Sequence, residues 1–210
     1  MYSKIAPWIG DAVLEIGSGI GNLTQSIEAR RLVATDFSDS YVAFLRKKFS
    51  QASHITVEKL DIAEAHLPVV PGSPFDTIVC LNVLEHIADD RQALRNMHSL
   101  LTPGGRLILL VPFSPLLHSA LDDNLGHYRR YTKRSVHAVV ASEGFTIDRI
   151  FLFNFFGGLG WFVSGKILRR GTLEKGSVGL FERAVPMFRL AETFGTPFGA
   201  SVICVARKTN

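Results

Sequence analysis

The sequence predicts a doubly wound α/β fold built on a parallel sheet, and three observations carry that expectation. Residues 12–16, A-V-L-E-I, read as a strand that breaks at once into glycines at 17, 19 and 21. Residues 75–81, F-D-T-I-V-C-L, and 106–111, R-L-I-L-L-V, are nearly continuous apolar runs of the kind buried on both faces of a parallel sheet. Between such runs lie stretches with helical length and spacing. Strands alternating with helices in this way give parallel sheets with right-handed crossovers.

The totals fit one domain over residues 1–210, with 47% apolar and 20% charged residues. A chain of this size buries a sizeable core. Its net charge of +4 is spread over clusters at 46–48, 129–130, 133–134 and 166–170. Such clusters serve as solvated faces or meet acidic ligands and anionic membranes. Cys80 and Cys204 sit in apolar runs without metal-ligand spacing, which reads as two buried thiols in a reducing compartment. With no signal-peptide pattern at the start, a cytoplasmic setting is expected.

In chain order, a helix is expected from the glycine loop to about residue 30, and a second strand over 32–36. Ser38 or Asp39 caps the next helix, whose apolar positions are Val42, Phe44, Leu45 and Phe49. A third strand covers 55–60, and the Pro/Gly cluster 68–74 is a loop before the strand at 75–81. Asp89 or Asp90 opens a helix through residue 101, and Pro103-Gly104-Gly105 turns into the strand at 106–111. Residues 112–131 read as a long polar and aromatic loop, 133–143 as a helix stopped by Gly144, and 145–153 and 201–206 as strands six and seven.

The glycine turn is where chemistry enters. A strand that breaks into glycines brings backbone N–H groups close to a ligand with no Cβ in the way. A dinucleotide site wants G-x-G-x-x-G, but here the pattern is G-x-G-x-G, and Asn22 stands where the third dinucleotide glycine belongs. Asp36 follows Gly17 by 19 residues at the end of the second strand, a place suited to a carboxylate that accepts ribose hydroxyls. Asp61 ends the third strand between Leu60 and Ile62, offering an acceptor for an exocyclic amine between apolar walls.

Residues 75–87, F-D-T-I-V-C-L-N-V-L-E-H-I, followed by 100–112, L-L-T-P-G-G-R-L-I-L-L-V-P, resemble motifs IV and V of the class I S-adenosylmethionine (SAM) dependent methyltransferases. The glycine stretch resembles motif I. Within that family the likeness is nearest the branch of quinone-pathway and small-molecule O-methyltransferases. It runs from Ala12 to Phe151 and again over Ala200 to Ala206. The resemblance implies a Rossmann-like sheet of seven strands in the order 3-2-1-4-5-7-6, the last antiparallel. It also implies SAM contacts at Glu15, Gly17, Ser18, Gly19, Asp36, Phe37, Asp61, Ile62, Leu81 and Asn82.

Methyl transfer from a sulfonium needs alignment and exclusion of water, and an oxygen acceptor gains from a general base. His86, His127 and Tyr128 are the candidates for catalysis, and Glu85, Arg129 and Arg130 for contact with the acceptor. Glu85-His86 also reads as a packed helix start, and Arg129 or Arg130 as a partner of Asp122 or Asp123. Quinone-pathway relatives carry an acid-x-x-Glu-His cluster associated with a divalent metal. Asn82 stands where the first acid would be, so no metal is expected here.

Residues 153–199 exceed what a minimal sheet needs and read as an apolar helical insertion between strands six and seven. Its uncharged run over 150–165 is shorter than the roughly 20 residues a membrane-spanning helix requires. A lid over a lipid-like acceptor, a homodimer contact, and an amphipathic surface docking through Lys166, Arg169 and Arg170 to the inner face of a membrane all stay open.

The expected function is methylation of a small-molecule, lipid-linked or sugar-linked acceptor, at oxygen. Nucleic acid is disfavoured as a substrate because Asn82-Val83-Leu84 replaces the Asn/Asp-Pro-Pro-aromatic turn of that chemistry. The rivals are a non-catalytic SAM-binding subunit and a nicotinamide-dependent oxidoreductase. Asn22 and the lack of a Tyr-x-x-x-Lys pair speak against the oxidoreductase.

Overall fold

The computed structural model describes residues 1–153 and 199–209. Seven strands form one sheet in the order β3-β2-β1-β4-β5-β7-β6. They are β1 (Ala12–Ile16), β2 (Arg31–Asp36), β3 (Ile55–Lys59), β4 (Phe75–Leu81), β5 (Leu101–Pro112), β6 (Phe145–Phe153) and β7 (Ser201–Lys208). The first five run parallel, and β7 lies antiparallel between β5 and β6. The expected order and the reversed last strand are both present. The insertion expected over 153–199 falls outside the described residues from 154 to 198.

Burial on both faces explains the apolar runs. Along β5, Leu107, Leu109 and Val111 enter a core with Ile78 and Cys80 of β4. Ile108 and Leu110 enter the opposite core with Val13, Leu32 and Val79. All five β5 side chains are essentially inaccessible to water, each contributing about 1.5–3 kcal/mol of transfer free energy. Two helices cover the first face, α3 (Asp90–Leu100) through Leu94 and Met97 and α5 (Lys133–Ser142) through Val136 and Val140. The second face takes Ile5 of α1 (Tyr2–Ile5) and Ile27.

The capping residues act as the sequence suggests at two helices. Asp89 Oδ1 accepts the Gln92 N–H at 3.0 Å and opens α3. Beyond α5, Gly144 adopts φ +85°, a left-handed conformation that glycine takes without strain. In α2 (Asp39–Lys48), Val42 and Leu45 are buried while Phe44 remains 48% exposed.

Three expectations are corrected. The helix expected after the glycine loop is a single 3-10 turn at Thr24–Ser26. The return from the end of β1 to the start of β2 spans about 17 Å, at roughly 3.3 Å per strand residue. Over that return Thr24 bonds to Glu15 and Ile27 enters the second core, which hold residues 22–30 against the sheet. β5 begins at Leu101 rather than Arg106, and Pro103-Gly104-Gly105 bulges out of the strand opposite the register shift between Phe75 and Thr77. The 112–131 stretch contains a helix, α4 (Ala120–Leu125). A capping box between Ser119 and Asp122 starts it, and Gly126 at φ +73° ends it.

Candidate active site

The carboxyl ends of β1, β2 and β4 meet at one rim of the sheet, where open α/β sheets bind ligands. Gly17 and Ser18 both donate backbone N–H bonds to the Thr35 carbonyl, at 2.9 and 2.8 Å, tying the glycine loop to β2. Asp36, at the tip of β2, accepts the Gly19 N–H on Oδ2 and the Ser38 N–H on Oδ1, both at 2.9 Å. Each carboxylate oxygen keeps lone-pair capacity beyond these bonds. Glu15, Ile16, Gly17, Ser18, Ile20, Leu81 and Asn82 line a solvent-open cleft of about 240 Å³. Asn82 takes φ +54°, uncommon for a side-chain-bearing residue.

This rim fits the adenosyl cofactor that the sequence motifs imply. A Cβ at Gly19 would meet nothing within 4 Å, so the loop backbone faces open space. Phe37, next after Asp36, is 69% exposed and presents an aromatic ring beside that carboxylate. Glu15 holds the loop itself: its Oε2 accepts the Ser18 hydroxyl at 2.9 Å and the Thr24 hydroxyl at 2.6 Å. Burial raises its pKa, and those two hydrogen bonds oppose the rise.

Asp61 is exposed and caps its own turn through the Ala63 N–H at 2.9 Å. The apolar walls expected beside it are absent, because Leu60 and Ile62 are 3% and 2% exposed and turn into the core. The burial that closes the sheet has taken both side chains, and the exposed apolar surface at this rim comes from Phe37 and Ile20.

Beyond β4, the turn at 82–90 is bolted to the 112–132 loop. Tyr128 donates its backbone N–H to the Glu85 carbonyl at 2.8 Å, and the Tyr131 hydroxyl donates to Asp90 Oδ2 at 2.9 Å. The His86 and His127 rings meet edge to face, with centroids 4.7 Å apart. One donor atom from each of Glu85, His86 and His127 lies within 4.8 Å of the other two. Glu85 is 1% exposed, and its Oε2 has no hydrogen-bond partner. Burial pushes the Glu85 carboxyl up to about 7, against the opposing pull of a backbone hydrogen bond and the Arg130 charge. Burial lowers the His86 pKa, and the neighbouring His127 lowers it further, both favouring the neutral imidazole. A carboxyl and two imidazoles make a cluster able to accept a proton, and they are also a donor set that suits a divalent cation.

The two arginines expected at the acceptor are engaged within the loop, the other role the sequence left open for them. The Arg130 guanidinium is buried, with Nε donating to Asp122 Oδ1 at 2.7 Å and NH1 to the Phe113 carbonyl at 3.2 Å. Arg129 pairs with Asp90 Oδ2 at 2.9 Å and donates to the Ala88 carbonyl. Both arginines hold the loop in place. Tyr128 is 63% exposed at the surface. The pairing of Arg130 with Asp122 is one the sequence offered, whereas Asp90 as the partner of Arg129 and Tyr131, and Asp122 as the partner of His127, were missed. The Ser119-x-x-Asp122 capping spacing was the available signal for Asp122.

Comparison with known proteins agrees with this geometry. A family model described as "Methyltransferase domain" matches residues 14–107. The ubiquinone/menaquinone biosynthesis C-methyltransferase UbiE of Enterobacter sp. (strain 638) is 29% identical over 140 residues, covering 64% of this chain and 55% of that protein. UbiE of Escherichia coli O1:K1 / APEC is 30% identical over 113 residues, covering 51% and 45%. The chain thus spans about half the length of these curated relatives. Among solved structures, a SAM-dependent methyltransferase from Mesorhizobium loti superposes with a TM-score of 0.67 at 17% identity, over 98% of this chain and 95% of that one. The N-methyltransferase NodS from Bradyrhizobium japonicum WM9, crystallised with S-adenosyl-L-homocysteine, gives 0.60 at 18% identity, over 95% and 79%. With the motifs, strand order and reversed last strand in agreement, this chain has the fold of the class I SAM-dependent methyltransferases and carries a match to a methyltransferase domain over residues 14–107.

Proposed function

We propose that this protein transfers a methyl group from SAM to a small-molecule or lipid-like acceptor carrying an ionisable hydroxyl. The observation that carries the reading is Asp36 at the tip of β2, bonded to Gly19 of the glycine loop and still able to accept hydroxyl protons. In this reading Asp36 binds the ribose hydroxyls, Phe37 flanks the base, and the Gly17–Gly19 backbone borders the methionine part. Glu15 keeps that loop shaped through Ser18 and Thr24. Bound there, SAM supplies a methyl group already activated on a sulfonium.

The chain's contribution to the reaction is placement and a proton acceptor. The 112–132 loop, tied to the turn at 82–90, covers the acceptor and excludes water. His127, or His86 beside it, takes the hydroxyl proton as the acceptor atom is methylated. Expected at oxygen, the transfer has a second reading at carbon, favoured by the name of the UbiE relatives. Deprotonating a phenolic hydroxyl raises electron density at the oxygen and at the ortho and para ring carbons, so one base serves either atom.

Among the described residues, no helix is long and apolar enough to cross a membrane. Calorimetry with SAM, SAH and NAD tests the reading. SAM should bind and NAD should not, and Asp36→Ala should weaken SAM binding by about 10-fold or more, the cost of lost hydrogen bonds to a charged group. Circular dichroism controls for folding. Binding of NAD in preference to SAM would overturn the assignment. Incubation with ¹³C-methyl SAM and a panel of phenols, read by NMR, distinguishes an O-methyl from a C-methyl product.

A further inference from the structure

Asp122 is fully buried, and it is approached from three sides. Its Oδ1 accepts from Arg130 Nε at 2.7 Å and faces His127 Nδ1 at 2.8 Å, while Oδ2 accepts the Ser119 N–H at 3.0 Å. Burial alone would raise its pKa. The hydrogen bonds from Arg130 and His127, and the Arg130 charge, outweigh burial and hold the carboxyl below its ordinary value. An ionised carboxylate has no proton to give, so the hydrogen shared with His127 belongs to Nδ1. The neutral ring is then fixed as the Nδ1–H tautomer, and its lone pair is on Nε2.

His127 stands beside His86, edge to face at 4.7 Å, and beside a buried Glu85 carboxyl whose Oε2 has no partner. No cation is needed to account for Asp122, because Arg130 balances its charge within the same loop. Helix capping alone would need only the Ser119 contact.

We infer that Asp122 is a positioning residue for methyl transfer, with Arg130 as its support. Acting through His127, Asp122 selects the tautomer whose Nε2 can accept a proton, and it faces the positive charge the ring then acquires. The step balances: the acceptor's O–H bond breaks and its proton goes to Nε2, its electron pair forms the new bond to the methyl carbon, and the S–CH3 bond of SAM breaks with its pair left on sulfur, so S-adenosylhomocysteine leaves. This inference rests on the proposed role of His127, and its first measurement is independent of turnover.

The test uses the full chain with ¹⁵N-labelled histidine, reading which ring nitrogen of His127 carries hydrogen at neutral pH. The wild-type protein should show the proton on Nδ1; a proton on Nε2 alone would overturn the inference. Asp122→Asn combined with Arg130→Gln removes both buried charges together, so neither is stranded. In that variant the Nε2–H tautomer should gain population, and unchanged tautomers would overturn the claim. With pyrocatechol as methyl acceptor, kcat should fall about 10²-fold while KM for SAM stays put, the loss typical of a misplaced general base. A wild-type kcat would overturn the role. If the double variant does not fold, the wild-type tautomer still decides. Failure to bind SAM would remove the proposed function while leaving the tautomer result standing.

Discussion

Val83 lies directly across Gly17: a Cβ added at Gly17 would stand 2.2 Å from Val83 Cγ2. The glycine loop after β1 and the turn after β4 are therefore in contact, which links the cofactor rim to the Glu85 and His86 turn. Gly17 also sits at φ +74°, whereas Gly19, at φ +54°, has open space where its Cβ would project. Gly17→Ala should therefore destabilise the fold by more than Gly19→Ala. The latter bears mainly the left-handed backbone cost of about 1 kcal/mol. Urea denaturation measures both stabilities. Calorimetry should show SAM affinity falling in Gly19→Ala as well, because its new methyl group enters the space beside the loop. Equal stability losses would show that Val83 yields easily and that the contact matters little.

Glu85 predicts a pH dependence whose sign follows from burial. Its pKa rises from an ordinary 4.5 to about 7 in the folded protein. The folded state therefore holds a proton that the unfolded chain has already released. This group's contribution is fully present below pH 4.5 and is lost as pH rises through about 7. The difference corresponds to roughly 3 kcal/mol, at about 1.4 kcal/mol per unit. Wild type and Glu85→Gln should differ in stability by more at pH 8 than at pH 5, with the Gln variant favoured at the higher pH. Parallel urea-denaturation curves across that range would show that Glu85 ionises freely.

Much of the fold was legible because its signals are local. The apolar runs at β4 and β5 and the caps at Asp89 and Gly144 each specify their element within a few residues. The missed helix after the glycine loop depended on tertiary anchors, Thr24 on Glu15 and Ile27 in the core, which residue type alone does not disclose. Asp36 was readable because strand order brings it to the glycine loop. Asp122 was readable only as a partner for an arginine; its contact with His127 was not, because it comes from His127 and Arg130 converging on one oxygen within a loop that also winds a helix turn. Leu60 and Ile62 misled for the opposite reason: they are apolar neighbours of Asp61, but their side chains complete the core beneath it.

The donor cluster predicts how a divalent cation should act. If His127 and His86 serve by keeping lone pairs free for a substrate proton, a metal that takes those lone pairs competes with the reaction. Micromolar Zn²⁺ should then inhibit the wild-type protein with phenolic acceptors, and a chelator should restore the rate. Activity that needs added metal, or that a chelator abolishes, would contradict a histidine base. Competition with the proton also makes the inhibition weaker at lower pH, which a zinc titration at two pH values would register.

The two histidines make separable contributions, and their variants should show it. His127 is tied to Asp122 at 2.8 Å, while His86 is exposed and its partly desolvated position beside His127 favours the neutral form. Removing the base should lower turnover by about 10²-fold. Neither ring is among the residues lining the cleft beside Glu15 and Gly17, so SAM affinity should survive in both His127→Gln and His86→Gln. The larger kcat loss is expected in His127→Gln, because that ring is hydrogen-bonded to the Asp122 carboxylate, which stabilises its protonated form. The smaller loss in His86→Gln should reflect a displaced His127, whose ring it meets edge to face at 4.7 Å. Wild-type turnover in both variants would remove the proton acceptor from the mechanism and leave the protein as a site that aligns its acceptor without assisting the proton's departure.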